Sequence, residues 1–314
     1  MYHLSTAPAG ARPAGKRGMR KEDSILIGLC ADPPRPFASA SAIDWGYLLR
    51  ASAANRLDGI VFNALDRLGM LGAVPEAARV ALEERYRRIV ETVSVHLRHA
   101  QDLAARFSAA GLRMAVLRGP ALGLTIYPKP YLRPFHDLDL LVPREELAGA
   151  KEILAAAGFL PEAGLLPDRY FEKHHLHLRR VHGQTRAVAE IHWAFDHPYA
   201  PTLVEIGALL ARGRHAGPPG APLVVLEPAD SLVTLCLHLR KHCVFLDALR
   251  AEEDFPSLLI GERALLWLAD IDRAARGMDA AGWERARKRA REWSLLEALE
   301  SCRLAAERVW MALM

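Results

Sequence analysis

MAVLRGPALGLTIYPKPYLRPFHDLDLLV, residues 114–142, carries the strongest pattern in the chain. One apolar run ends in Leu117-Arg118-Gly119, and a second is interrupted by Asp137 and Asp139. Alternation with a period of two predicts that the second run is a β-strand with both aspartates on one face. Two carboxylates about 6 to 7 Å apart along a strand repel each other, and burial makes both charges costlier. A divalent cation would compensate them.

The segments around this stretch predict a mixed α/β module. The predicted elements are a helix from Pro75 to Gly111, strands at 114–117 and 137–142, a helix from Pro143 to Gly158, a hairpin with strands at 170–181 and 185–193, and a strand at 223–226. Helical spacing with a glycine stop indicates the helices, and His182-Gly183-Gln184 indicates the hairpin turn. The second hairpin strand carries Glu190, a third carboxylate on the same predicted sheet.

Composition divides the chain into four predicted regions. Residues 1–22 are mostly Pro, Gly, Ala and basic residues without periodicity, which predicts a disordered tail. An N-terminal helical region at 23–111, an α/β core at 112–226 and a C-terminal helical domain at 227–314 follow. The predicted fold class is therefore α/β (α+β), a small mixed β-sheet core flanked by helical regions.

The overall composition indicates a globular protein. The 314 residues are 51% hydrophobic and 25% charged, which is enough for a large core. No apolar run approaches the roughly 18 to 20 residues that span a bilayer, so we expect a cytoplasmic protein without membrane partners. Cys30, Cys236, Cys243 and Cys302 form no CxxC pair and are expected as free thiols. The net charge of +4 suits an anionic substrate or a solvated basic surface.

Three carboxylates are predicted to meet on this sheet. Asp137, Asp139 and Glu190 lie on strands that should be neighbours, and oxygen ligands of this kind are those that Mg²⁺ or Mn²⁺ prefers. Phosphoryl and nucleotidyl transfer use such sites, where metal ions hold triphosphate oxygens and lower the pKa of the attacking hydroxyl. The arrangement therefore predicts metal binding and group transfer.

Basic residues and a glycine near the acids predict where a nucleotide would bind. Gly119 would let the backbone approach phosphates closely, and Arg118 or Arg133 could neutralise phosphate charge. The alternative is structural, with Asp137 and Asp139 capping a turn or pairing with the two arginines.

Histidines and a lysine extend the candidate site. His238, Lys241 and His242 follow helical spacing, so they share one face of a C-terminal helix. That face either contacts an anionic substrate or the nucleotide, or is a solvated surface. His192 shares the strand face of Glu190, where it lies near the metal or packs and hydrogen-bonds.

Several short motifs occur together in this sequence: Leu117-Arg118-Gly119, Arg133, the strand at 137–142 and Glu190-Ile191-His192-Trp193. In combination they resemble the DNA polymerase β-like nucleotidyltransferase superfamily. The resemblance is closest to its uncharacterised bacterial "nucleotidyltransferase family protein" branch, in which a Leu-Lys-Gly turn, an Arg before Asp-x-Asp-x-Leu-Val and a Glu-x-His-Trp strand recur. It implies that Asp137, Asp139 and Glu190 are metal ligands and that Gly119 belongs to the nucleotide-binding turn.

The resemblance implies a metal-dependent nucleotidyltransferase. Such an enzyme would use Mg²⁺ or Mn²⁺ to move an NMP group, AMP in our expectation, from an NTP to a hydroxyl-type acceptor and release pyrophosphate. Arg118, Gly119, Arg133 and Lys241 are the expected nucleotide-binding residues. The acceptor is a small molecule, a peptide or a protein in preference to a nucleic acid.

Two departures from the superfamily pattern keep alternatives open. Gly119-Pro120 stands where Gly-Ser is usual, and proline lacks an amide donor and a hydroxyl; Arg118 replaces the branch's common lysine. A non-catalytic module that binds a peptide, protein or nucleic acid is the first alternative. A phosphotransferase that uses the same acids is the second, and ADP instead of pyrophosphate as the product would identify it.

Overall fold

The computed structural model describes residues 19–38, 42–161, 175–182, 185–195, 204–242 and 264–311. Its elements are α1 (Lys21–Cys30), α2 (Trp45–Ala54), α3 (Asp58–Arg67), α4 (Glu76–Ala109), β1 (Ala115–Val116), α5 (Arg118–Thr125), β2 (Asp137–Leu141), α6 (Leu147–Ala156), β3 (Leu160–Pro161), β4 (His175–His182), β5 (Thr185–His192), α7 (Ile206–Ala211), β6 (Arg214–Ala216), β7 (Leu223–Val225), α8 (Pro228–His242), α9 (Ala264–Arg276), α10 (Ala280–Glu292) and α11 (Leu296–Met311). None of the described helices has both the length and the apolar character that crossing a membrane requires.

The strands form one mixed sheet in the order β3-β4-β5-β2-β1-β7-β6. β2 lies in its centre, antiparallel to β1 and parallel to β5. Leu138, Leu140 and Leu141 of β2 are all 0% exposed, because neighbouring elements cover both faces of this strand. The predicted fold class, a mixed sheet flanked by helices, is confirmed.

Two buried apolar clusters surround the sheet. One contains the strands together with α6 and the second half of α4, and its largest fully buried members are Phe107, Phe135 and Phe159. The other joins α1, α2 and α3 to the C-terminal helices α8 to α11. Full burial of one such large side chain contributes roughly 1.5 to 3 kcal/mol. Apolar packing therefore links the N-terminal and C-terminal helices directly.

The long helix α4 connects the two clusters. Leu82, near its start, belongs to the helical cluster, whereas Val93 and Phe107 belong to the sheet cluster. Gly111, the predicted stop, has a φ of +68°, a conformation that glycine adopts without steric cost. The helix ends at Ala109, two residues before this glycine.

Other predicted boundaries differ from the structure by a few residues. The first hairpin strand is described from His175 to His182, so its predicted residues 170–174 lie outside the described part. The predicted helix from Pro143 begins with a 3₁₀ turn at Arg144–Glu146 before α6. Within the predicted tail, residues 1–18 lie outside the described part, and α1 already begins at Lys21. The division into domains stays a prediction.

Candidate active site

The acidic residues share one face of the sheet. Asp139 on β2 is the register partner of Glu190 on β5, and Asp137 and His192 lie two residues away on their own strands, hence on the same face. One ligand atom from each of Asp139, Glu190 and His192 lies within 4.8 Å of the others. The structure therefore brings the three sequence-predicted acids to one side of the sheet, with His192 on the face that its spacing from Glu190 predicted.

The two aspartates differ in their electrostatic environment. Burial, followed by the charges of Asp139 and Glu190, raises the pKa of Asp137 above its ordinary value. Burial also acts to raise the pKa of Asp139, but Arg118 and His192 outweigh it, so the pKa of Asp139 is lowered. Asp139 is thus already compensated, whereas negative charge around Asp137 and Glu190 favours a further cation.

Arg118 provides the compensation for Asp139. Its Nε donates to Asp139 Oδ2 at 2.8 Å, and its Nη2 donates to Oδ1. The same Nη2 lies 2.9 Å from His192 Nε2, and Nη1 lies 2.6 Å from His238 Nδ1. Arg118 therefore connects the acids on the sheet to helix α8. This matches the structural alternative for Asp139, and a nucleotide-binding role for Arg118 stays a prediction.

His238 is a neutral partner of Arg118. Burial and then the charge of Arg118 lower the pKa of His238 well below its ordinary value. A neutral imidazole has one nitrogen that accepts, and the 2.6 Å contact with Nη1 of Arg118 assigns that role to Nδ1. Helix α8 thus helps to orient the arginine. Sequence spacing had placed His238 beside Lys241, but it gave no indication of this contact.

The glycine of the predicted nucleotide-binding turn has a packing role. A Cβ on Gly119 would lie 2.5 Å from Cβ of Phe135, closer than two non-bonded carbon atoms can approach. Gly119 therefore lets the first turn of α5 press against the segment that leads into β2. Contact between its backbone and phosphates stays a prediction.

Arg133 is buried and faces the C-terminal helices. Its Nη2 lies 2.8 Å from Asp270 Oδ2 on α9, and its Nη1 donates to the carbonyl of Pro134 at 2.9 Å. The hydroxyl of Tyr127 also donates to Asp270, at 2.7 Å. Within the described part of the chain, the side-chain hydrogen bonds of Arg133 thus lead to Asp270 and Pro134. Its predicted contact with nucleotide stays a prediction.

A cleft of about 60 Å³, partly open to solvent, lies between the sheet and α8. Its described lining is Leu117, Arg118, His192, Ala194, Phe195, Thr234, Leu237, His238, Lys241 and His242. The predicted set of His238, Lys241 and His242 thus shares the face of α8 that lines this cleft. The charged side chains of this lining are basic, which suits an anionic ligand.

Fold and site together define a class of protein. A mixed sheet that carries acids on adjacent strands beside a cationic cleft fits the nucleotidyltransferase class that the sequence motifs resemble. The chain belongs to the family described as "Uncharacterised nucleotidyltransferase", whose model matches residues 41–311. The resemblance found in the sequence is confirmed, and the protein is an enzyme of the nucleotidyltransferase class.

Solved structures add a distant likeness. The solution structure of the antibiotic-resistance factor ANT(2'')-Ia is 13% identical, with 70% of this chain and 98% of that chain covered and a TM-score of 0.38. The crystal structure of ANT(2'')-Ia in complex with adenylyl-2''-tobramycin is 15% identical, with coverages of 70% and 99% and a TM-score of 0.32. No curated protein matches the chain significantly.

Proposed function

We propose that this enzyme transfers a nucleoside monophosphate, AMP in the first instance, from a metal-bound NTP to a hydroxyl-type acceptor and releases pyrophosphate. The observation that carries the proposal is the register of β2 and β5, which sets Glu190 opposite Asp139 with Asp137 on the same face. Carboxylates in this arrangement can bind metal and accept a proton at one point.

The residues present fit a divalent cation. Carboxylate oxygens are the donors that Mg²⁺ and Mn²⁺ prefer, and Asp139, Glu190 and His192 offer ligand atoms within 4.8 Å of one another. The raised pKa of Asp137, caused by burial and by the neighbouring acids, is a second indication that positive charge is favoured here. Asp139 and Glu190 would hold the ion, with Asp137 on the same face of the sheet as the third proposed acid and His192 as a further ligand in reach. The ion would neutralise phosphate charge and make the acceptor hydroxyl more acidic.

The cleft supplies the other groups that the reaction needs. Lys241 lines the cleft, and we assign it, with Arg118, to the triphosphate, where their charges favour the pyrophosphate leaving group. Arg133 would act at longer range from its buried position. Glu190 would accept the proton of the acceptor hydroxyl. The acceptor oxygen then forms a bond to the α-phosphorus, and the bond from that phosphorus to the pyrophosphate oxygen breaks.

Pyrophosphate release is the direct test. The full chain is incubated with each of the four NTPs and either Mg²⁺ or Mn²⁺, with a metabolite extract as the source of acceptors. We expect metal-dependent pyrophosphate release, with ATP preferred, that disappears in the Asp137→Asn/Asp139→Asn double variant. Asp102→Asn is the matched control, because Asp102 pairs with Arg106 on the exposed side of α4. Release of ADP instead of pyrophosphate would establish the phosphotransferase alternative.

A further inference from the structure

Arg118 lies between the cleft and the buried carboxylate of Asp139. Its side chain is 21% exposed, whereas that of Asp139 is 8% exposed. The guanidinium contacts both carboxylate oxygens of Asp139 and also lines the cleft. A ligand that enters the cleft therefore meets Arg118 on the way to Asp139.

The Arg118 fork and a metal ion compete for Asp139. Paired charge-assisted hydrogen bonds are among the strongest that a carboxylate makes, and here they engage both of its oxygens. A divalent cation on Asp139 needs at least one of these oxygens, and a guanidinium within a few ångströms repels it. Metal binding at Asp139 is therefore weakened as long as Arg118 stays in contact with this carboxylate.

A triphosphate provides another partner for Arg118. The planar fork of arginine matches phosphate as well as it matches carboxylate. The contact with His238 Nδ1, at 2.6 Å, lies on the α8 side of the guanidinium, where Lys241 also lines the cleft. Phosphates bound at this wall would draw the guanidinium away from the sheet.

The backbone of Arg118 adopts a strained conformation. Its φ of +47° lies in the left-handed region, which costs a non-glycine residue roughly 1 kcal/mol or more. The conformation is held at the first residue of α5, where Gly119 is packed against Phe135. A strained residue that directs a cation at a candidate metal ligand is the kind of feature that marks a functional site.

From these contacts we propose that Arg118 weakens the binding of metal alone and allows the metal–nucleotide complex to bind. It holds Asp139 in the absence of nucleotide and exchanges this carboxylate for the triphosphate when the nucleotide enters. Metal and nucleotide then bind with strong mutual dependence, and metal alone binds poorly. This inference rests on the proposed function, since it takes Asp139 as a metal ligand and the cleft as the nucleotide site.

Metal binding without turnover provides the test. Mn²⁺ binding to the full chain is measured by electron paramagnetic resonance of the free ion, with and without an ATP analogue whose α,β-bridge is a methylene group. For the wild type we expect the analogue to strengthen Mn²⁺ binding roughly ten-fold or more. For Arg118→Met we expect Mn²⁺ alone to bind roughly ten-fold more tightly than to the wild type, with a smaller effect of the analogue. Equal or weaker binding of Mn²⁺ alone to Arg118→Met overturns the inference.

Two further variants separate the effect of positive charge in the cleft from the effect of the paired hydrogen bonds on Asp139. Lys241→Met removes a cleft cation without removing the fork on Asp139, so analogue affinity should fall while affinity for Mn²⁺ alone is unchanged. Arg118→Lys keeps the positive charge but loses the paired hydrogen bonds to Asp139, so it should bind Mn²⁺ alone with intermediate affinity. If Arg118→Met does not fold, this variant tests the role of Arg118 in its place. If Arg118→Lys binds Mn²⁺ no more tightly than the wild type does, the proposed exchange of Asp139 for the triphosphate is contradicted.

The outcome also distinguishes this inference from the proposed function. If neither the wild type with analogue nor Arg118→Met binds Mn²⁺, the metal site itself fails and the proposed function fails with it. If the wild type binds Mn²⁺ and releases pyrophosphate while Arg118→Met shows no gain, only the role of Arg118 is wrong.

Discussion

Glu190 lies opposite Asp139 across two parallel strands, although 50 residues of sequence and a hairpin strand separate them. The next register pair, Leu140 and Ile191, is 0% exposed and belongs to the apolar core. Alternation along each strand therefore divides the residues into a reactive face and a packed face. The same pairing that completes the core also brings the acids together.

Loss of single acids tests this face. We expect Asp139→Asn and Glu190→Gln each to reduce the rate of pyrophosphate release at least about 100-fold, because each removes a charge that the proposed metal site needs. Steady-state rates at saturating NTP measure the effect, and Asp102→Asn is the control. Retention of more than a tenth of the wild-type rate by either variant would count against the assignment.

The charged form of Asp137 is expected to lower the stability of the folded protein when no metal is bound. Burial, with Asp139 and Glu190, raises its pKa, so its carboxylate is disfavoured in the folded protein. The stability contributed by Asp137 is present below its ordinary pKa of 3.8 and is lost as the pH rises through the raised value. At pH 7 and without metal, Asp137→Asn should therefore melt at a higher temperature, by about 2 to 4 °C for each kcal/mol recovered. An unchanged or lower melting temperature contradicts this expectation.

His238 should make the stability of the protein sensitive to acid. Burial, then the charges of Arg118 and His242, lower its pKa well below 6.5. The stability that neutral His238 contributes is present above 6.5 and is lost as the pH falls through 6.5 towards the lowered value. The melting temperature of the wild type should therefore fall between pH 7.5 and 5.5. The free energy of unfolding should fall by at most about 1.4 kcal/mol for each pH unit below 6.5. His238→Asn should shift less, and an equal shift in both proteins would assign the effect to other groups.

Gly119 should tolerate no side chain. Gly119→Ala places a Cβ at 2.5 Å from Cβ of Phe135, and overpacking of this kind costs about 1 to 3 kcal/mol. The contact involves Cβ itself, so trimming the ring of Phe135 should not restore stability. Gly72→Ala is the matched control, since nothing lies within 4 Å of a Cβ there. Chemical denaturation of the two variants compares them directly, and equal midpoints would show that the segment before β2 can shift.

The buried pair of Arg133 and Asp270 should be costly to break. Removal of one partner leaves the other charge buried, which costs roughly 3 to 5 kcal/mol. We expect Asp270→Asn and Arg133→Met each to lower the free energy of unfolding by about this amount. The double variant should lose less than the sum of the two, because it leaves no uncompensated charge. A double-mutant cycle from urea denaturation measures the coupling, and additive losses would show that the ions do not interact.

The sheet and its acidic face could be predicted because local patterns determine them. DLDLLV alternates with a period of two, and β2 begins at the predicted Asp137 and ends at Leu141, one residue before the predicted end. The hairpin strand with Glu190 follows the same rule, and its partner β2 is the predicted neighbour. Such signals depend on residues that are close in sequence, so folding elsewhere does not obscure them.

The environment of the arginines could not be predicted from spacing. Arg118 contacts His238 across 120 residues, and Arg133 contacts Asp270 across 137 residues. Both contacts depend on how the C-terminal helices dock onto the sheet, which is decided by apolar packing and not by the polar residues themselves. The two basic residues near the acidic strand were similar candidates for phosphate binding, and tertiary packing gives them different partners.

The chain also limits how far it could be shortened. Leu117, Leu122, Leu132 and Leu141 belong to the stretch 112–226, yet they pack in the cluster built mainly from the flanking helices. A fragment reduced to this stretch would present these side chains to water and leave Arg133 without Asp270, and aggregation is the expected fate of such a surface. The flanking helices are therefore part of the smallest folded unit in which the proposed site can exist.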